Sequence, residues 1–151
     1  MAFYDDIHTT KRFRLLTEKT DVSGRKYVYL QGVGSTAVGS AVTFDEAGVT
    51  SLVDTDTAAT ITGPMAVAVA VVDATTEYGW YGIQGSFTAK AADAVADNAA
   101  VYATSTAGVL DDAAASIGRV FGAVWRSIND SVAGTATIQL YRPWLGVDLS
   151  S

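Results

Sequence analysis

The sequence predicts an all-β fold: a sandwich or barrel-like body of two similar four-strand halves, preceded by an extended N-terminal arm. Three observations lead there. From Tyr27 onward, short runs rich in Val, Thr, Tyr and Ala are punctuated by Gly and Asp, a pattern of short strands and turns. Period two is explicit in Met65-Ala66-Val67-Ala68-Val69-Ala70-Val71, where Met65, Val67, Val69 and Val71 share one face and the alanines the other. The chain also matches itself. A shift of 55 lays Gly63 on Gly118, Ala68 on Ala123, Val69 on Val124, Gly79 on Gly134, Ile83 on Ile138 and Gln84 on Gln139, and a shift of 60 lays Ala47-Gly48-Val49 on Ala107-Gly108-Val109. Residues 39–86 and 98–141 therefore read as two copies of one unit, each leaving an apolar face that the other covers.

In chain order, residues 1–26 form the arm and 27–151 the body. Six of the ten basic residues, Lys11, Arg12, Arg14, Lys19, Arg25 and Lys26, lie in the arm, giving it a net charge of +2 against −8 for the rest. With Phe3, Tyr4 and Phe13 the arm reads as a basic, aromatic segment for docking on an acidic protein surface, or as a mobile terminus carrying solvated charges. Strands are predicted over 26–31, 41–44, 49–53, 65–71, 78–88, 100–103, 120–127 and 135–141, with turns at Asp45-Glu46-Ala47-Gly48 and Thr106-Ala107-Gly108. Alanine density predicts short helices over 89–96, with Asp93 and Asp97, and over 111–116. The alternation over 65–71 predicts a sheet with one face toward the core.

Composition narrows the function classes. A chain of 151 residues fits one domain with a core of its own. It has no cysteine, so neither disulfides nor thiolate chemistry is available. A net charge of −6 and a pI near 4.5 lack the basic face of a nucleic-acid binder. The longest apolar run, 65–72, is well short of the roughly 18–20 residues of a membrane-spanning helix. Asp5 and Asp6 stand where a signal peptide carries positive charge, so no membrane partner and no Sec export is expected.

Candidate chemistry thins out on inspection. Gly32-Val33-Gly34-Ser35-Thr36-Ala37 comes directly after a predicted strand, with Asp54 and Asp56 about twenty residues on, in the wording of a dinucleotide fingerprint. That mechanism needs a helix behind the glycines, whereas the next residues carry Gly39, β-branched side chains and period two. His8 is the only histidine, and a triad would have to recruit it from the arm. Asp45, Glu46, Asp54 and Asp56 lack the spacing of a calcium loop and read as turn formers. No catalytic, cofactor or metal residues are assigned, and no enzyme activity is expected. The aromatics say more: Trp80 with Tyr78, and Tyr81 with Ile83, point to opposite faces of one strand, so one pair enters the core while the other covers an edge or interface. Trp125 lies in the matching strand of the second half, and Tyr141 and Trp144 flank Pro143. Tyr81, Tyr141 and Trp144 are the candidate oligomer interface.

Several stretches give the chain a resemblance to bacteriophage head decoration, or cement, proteins. They are Tyr27-Val28-Tyr29-Leu30-Gln31-Gly32-Val33, Val42-Thr43-Phe44-Asp45-Glu46-Ala47-Gly48-Val49, Gly63-Pro64 with its Ala/Val alternation, Tyr78-Gly79-Trp80-Tyr81-Gly82-Ile83-Gln84-Gly85 and Ala96-Asp97-Asn98-Ala99-Ala100-Val101-Tyr102-Ala103-Thr104. The resemblance spans most of 27–141. It implies a β-rich homotrimer, made in the host cytoplasm, that sits on the outside of an icosahedral capsid and bridges major capsid subunits. On that footing the arm is the expected capsid contact, with Phe3, Tyr4 and Phe13 as anchors and Lys11, Arg12 and Arg14 as electrostatic guides; the arm packing on its own subunit or on a neighbour is the competing expectation. A phage tail or fibre module and a small-molecule or sugar-binding β-barrel are the alternative functions.

Overall fold

A computed structural model describes residues 4–55, 62–92, 94–114, 117–126 and 134–147. Its elements are eleven strands: β1 (Ile7–His8), β2 (Glu18–Thr20), β3 (Lys26–Gln31), β4 (Ala41–Phe44), β5 (Thr50–Leu52), β6 (Gly63–Ala68), β7 (Tyr78–Ala91), β8 (Val101–Ala103), β9 (Leu110–Asp111), β10 (Ile117–Trp125) and β11 (Gly134–Val147). They join in one mixed sheet, ordered β2-β3-β7-β9-β8-β10-β11-β6-β4-β5, and additional β7–β11 and β7–β6 pairings curl it toward a ring. The fold is all-β with a barrel-like body.

Two segments repeat one pairing order. In the first, β4 pairs antiparallel with β5 and with β6, and β6 with β7. In the second, β8 pairs antiparallel with β9 and with β10, and β10 with β11. Strands β7 and β11, each 14 residues long, then zip together antiparallel from Gly134↔Ala91 to Tyr141↔Gln84. Both Ala-Gly turns close hairpins: Gly48 N–H donates to the Asp45 carbonyl at 3.0 Å and Val49 N–H to the Asp45 carboxylate at 3.0 Å, while Val109 N–H donates to the Thr106 carbonyl at 3.1 Å.

The expectation of a one-sided sheet is corrected by the packing. Met65 and Val67 enter one core with Tyr29, Trp80, Phe87, Trp125 and Ile138; Ala66 and Ala68 enter a second with Val28, Leu30, Val42, Tyr81 and Ile83. Alternation along β6 sorts side chains between two buried layers, with small residues where the second layer is tight. The helix expected over 89–96 is also overturned where the chain is described. Ala89 and Ala91 extend β7, both buried, because each continues the ladder to β11; 94–96 is irregular and Asp93 lies outside the described residues. Tertiary pairing has overridden alanine's helix propensity there. Over 111–116, Asp111 ends β9 and 112–114 is irregular, with 115 and 116 outside the described residues.

Gly32 has its own reason for being glycine. A Cβ there would lie 2.4 Å from the Val72 carbonyl oxygen, so two backbone segments meet where the sequence suggested a phosphate loop. The chain then turns without forming a helix, Thr36 N–H donating to the Val33 carbonyl at 3.4 Å.

Candidate functional site: a bulged strand with an aromatic rim

The β10–β11 ladder shifts register twice, between Ile117 and Arg119 and, more widely, between Phe121 and Ala123. Phe121 pairs with Trp144 and Ala123 with Leu140, so Gly122 alone faces three residues, Tyr141, Arg142 and Pro143. This bulge lies where β11 leaves β7 and joins β6 through Trp144↔Pro64. Gly122 takes φ +75°, and a Cβ on it would meet the Tyr141 carbonyl oxygen at 2.5 Å, so glycine permits the bulge. Arg142 itself sits at φ +45°, and its guanidinium donates to both Glu18 carboxylate oxygens, at 2.7 and 3.1 Å. That fork-like pair holds the Glu18 carboxyl below its usual range against a smaller opposing effect of burial, and raises Arg142.

With Arg142 tethered and Pro143 buried, the aromatics around the bulge stay outside. Tyr141 is 71% exposed, Trp144 51% and Phe121 44%. Beside Trp144 runs a groove of about 560 Å³ whose apolar wall is Leu16, Phe44, Val49 and Pro64 and whose polar rim includes Asp45 and Glu46. One Asp45 oxygen accepts from Ala47 and Val49 N–H in the turn, leaving the other oxygen for solvent. A smaller cavity of about 230 Å³ adjoins on the Glu18–Arg142 side of Trp144.

The N-terminal segment lies down on the body. β1 pairs with β7 and β2 with β3. Tyr4 stacks on Tyr27 with ring centroids 4.0 Å apart and meets Trp80 edge-on at 5.6 Å. Phe13 packs 5.2 Å from Tyr29 and 5.1 Å from Trp80, with the Lys19 ammonium 4.3 Å above its ring. The Tyr29 hydroxyl accepts from Arg12 N–H at 3.2 Å and lies 2.8 Å from His8 Nδ1. At the end of the segment five donors, from Ser23, Arg25 and Tyr27, converge on the Asp21 carboxylate within 2.7–3.1 Å. Burial pushes that carboxyl up, but the hydrogen bonds together hold it well below the ordinary range. The Tyr27 phenol is pushed up to about 12, by burial first and by its bond to Asp21 second.

The expected site residues separate accordingly. Tyr4 and Phe13 spend their rings on their own core, while Lys11, Arg12 and Arg14 remain exposed; Phe3 lies outside the described residues, as does Asp56. Tyr141 and Trp144 lie on the surface of the single chain. Tyr81 is corrected: at 0% exposure it presents nothing to a partner, because Tyr81 and Ile83 enter the second core rather than an edge. Its hydroxyl makes no hydrogen bond of normal geometry among the described residues. The nearby Thr36 and Thr50 hydroxyls donate to the Val33 and Gln31 carbonyls, both at 2.7 Å. Burial raises the Tyr81 phenol, partly opposed by those two hydroxyls. Sequence reasoning missed Phe121 as a surface aromatic and the groove altogether. A signal for the first was present, since Phe121-Gly122 places an aromatic beside a residue suited to a bulge.

Among the described residues, no three histidine or acidic side chains converge as metal ligands, and no helix is long and apolar enough to cross a membrane. No protein-family model, curated protein or solved structure matches the chain.

Proposed function

We propose that this chain is a phage head decoration protein, which binds the outer surface of an assembled shell as a homotrimer and bridges neighbouring major capsid subunits. The observation that carries the reading is the exposed aromatic rim of Phe121, Tyr141 and Trp144 on the bulged β10–β11 ladder, held by the main core and the Glu18–Arg142 ion pair. Rigid, exposed aromatics are the residues that anchor protein interfaces, since they bring large contact area at little cost in side-chain entropy. The family resemblance of 27–141 supplies the kind of partner. Shell contact passes to Phe121 and Tyr141, because Tyr4 and Phe13 are engaged with their own core.

Stabilisation by such a protein is mass action. A ligand that binds only the assembled shell, at a free concentration one hundred times its Kd, adds about 2.7 kcal/mol per site to that state. An oligomer that engages several subunits at once multiplies modest contacts into avidity.

The test is co-sedimentation with expanded heads that lack the chain. Wild type should saturate a fixed number of sites, and Tyr141→Ala or Phe121→Ala should each weaken binding by about thirtyfold, the equivalent of about 2 kcal/mol for an interface anchor. Wild-type protein that stays in the supernatant, or variants that bind as tightly as wild type, would refute the assignment.

A further inference from the structure

We propose that the groove beside Trp144 receives the outward face of the N-terminal segment of a second copy, with Lys11, Arg12 and Arg14 meeting the rim carboxylates Asp45 and Glu46. The inference rests on the self-association in the reading above and not on the shell.

Charge and facing both point to this contact. Phe13 packs onto the core while Lys11, Arg12 and Arg14 around it are all exposed, so the three cations face outward. The inward cation of this segment, Lys19, is already used above the Phe13 ring. The three outward ones form no ion pair with any described residue. On the opposite side of the balance, Glu46 is exposed and Asp45 keeps one oxygen free of its turn, beside the half-exposed ring of Trp144. Leu16 lines this same groove only two residues after Arg14, yet Arg14 pairs with neither carboxylate of its own chain. Two complementary surfaces thus stay unmatched among the described residues of one copy, and both are matched when one copy's segment meets the next copy's groove. An apolar wall with an acidic rim suits the long aliphatic stems and charged heads of Arg and Lys, and the Trp144 face offers a cation–π seat. Because the two patches differ, the contact is heterologous, and the homotrimer of the reading above is the ring that forms when its rotation closes after three copies.

Sedimentation velocity on the full chain, without capsids, tests this across protein and salt concentration. Wild type should self-associate, less so at high salt. Arg12→Glu/Arg14→Glu and Glu46→Lys should each weaken association by about tenfold or more, since each sets like charges face to face. All three changes in one chain should restore it, and Trp144→Ala should weaken it without changing the charge. Circular dichroism spectra matching wild type show that the variants fold. A wild type monomeric throughout, reversals without effect, or no rescue by the triple variant would each overturn the proposal. So would a monomer whose groove binds an added oligosaccharide or a foreign basic peptide. Intact rescue in a protein that ignores capsids would overturn the decoration reading alone.

Discussion

Phe13→Ala separates two views of the N-terminal segment, a free docking arm and a piece of the fold. The ring is half-buried against the main core, in edge and tilted contact with Tyr29 and Trp80, under the Lys19 ammonium. Truncating a fully buried Phe costs about 3–5 kcal/mol, so half-burial brings this to about 2 kcal/mol. Losing the aromatic pairing and the exposed cation–π contact adds about 0.5–1 kcal/mol. A total of about 2.5–3 kcal/mol corresponds to a Tm about 5–12 °C lower for a chain of this size. Arg12→Ala keeps the backbone donor to Tyr29 and removes an exposed side chain, so it should stay within about 0.5 kcal/mol of wild type. Scanning calorimetry and urea unfolding of both variants provide the comparison. If Phe13→Ala melts within a degree or two of wild type, the segment contributes nothing to the core and its packing there is not what holds it down.

Two further outcomes concern single groups. Asp21→Ala should cost about 1–2 kcal/mol at pH 7, from loss of a multiply hydrogen-bonded carboxylate. The folded carboxyl lies below its ordinary value of 3.8, so its stabilisation is complete above that value and is lost as pH falls through and below it. The gap between wild type and variant in urea unfolding should therefore narrow from pH 7 to pH 3, and a gap that widens would contradict the assignment. Tyr81→Phe removes a buried hydroxyl lacking a hydrogen bond of normal geometry, so the variant should match or exceed wild-type stability. A loss above about 1 kcal/mol in the urea midpoint would show that the hydroxyl is in fact satisfied.

The strands were legible where local pattern and tertiary demand agree. β3 and β4 fall where the Tyr-Val-Tyr-Leu and Ala-Val-Thr-Phe runs put them, and the Ala-Gly turns close the β4–β5 and β8–β9 hairpins as read. The helix over 89–96 failed because alanine's preference is a few tenths of a kcal/mol per residue, less than a continued ladder to β11 supplies. Tyr81 failed for a different reason: period two tells which residues share a face but not whether a second layer covers that face. Beyond the hint of Phe121-Gly122, the bulge and groove were out of reach of any local pattern. They join Leu16, Glu18, Asp45, Gly122 and Trp144, and the Glu18–Arg142 pair spans 124 positions that no local window contains.

Strand β7 touches five others, β1, β3, β6, β9 and β11, and its most extensive partner arrives last in the chain. During synthesis, then, residues 84–91 leave the ribosome long before 134–141 can zip against them. For that interval a long strand with Phe87, Ala89 and Ala91 uncovered offers an open edge to any neighbouring nascent chain. Fusions or truncations that remove β11 should be far more damaging to soluble yield than changes at the N-terminus, and growth at lower temperature, by slowing encounter between incomplete chains, should be the first remedy for poor expression.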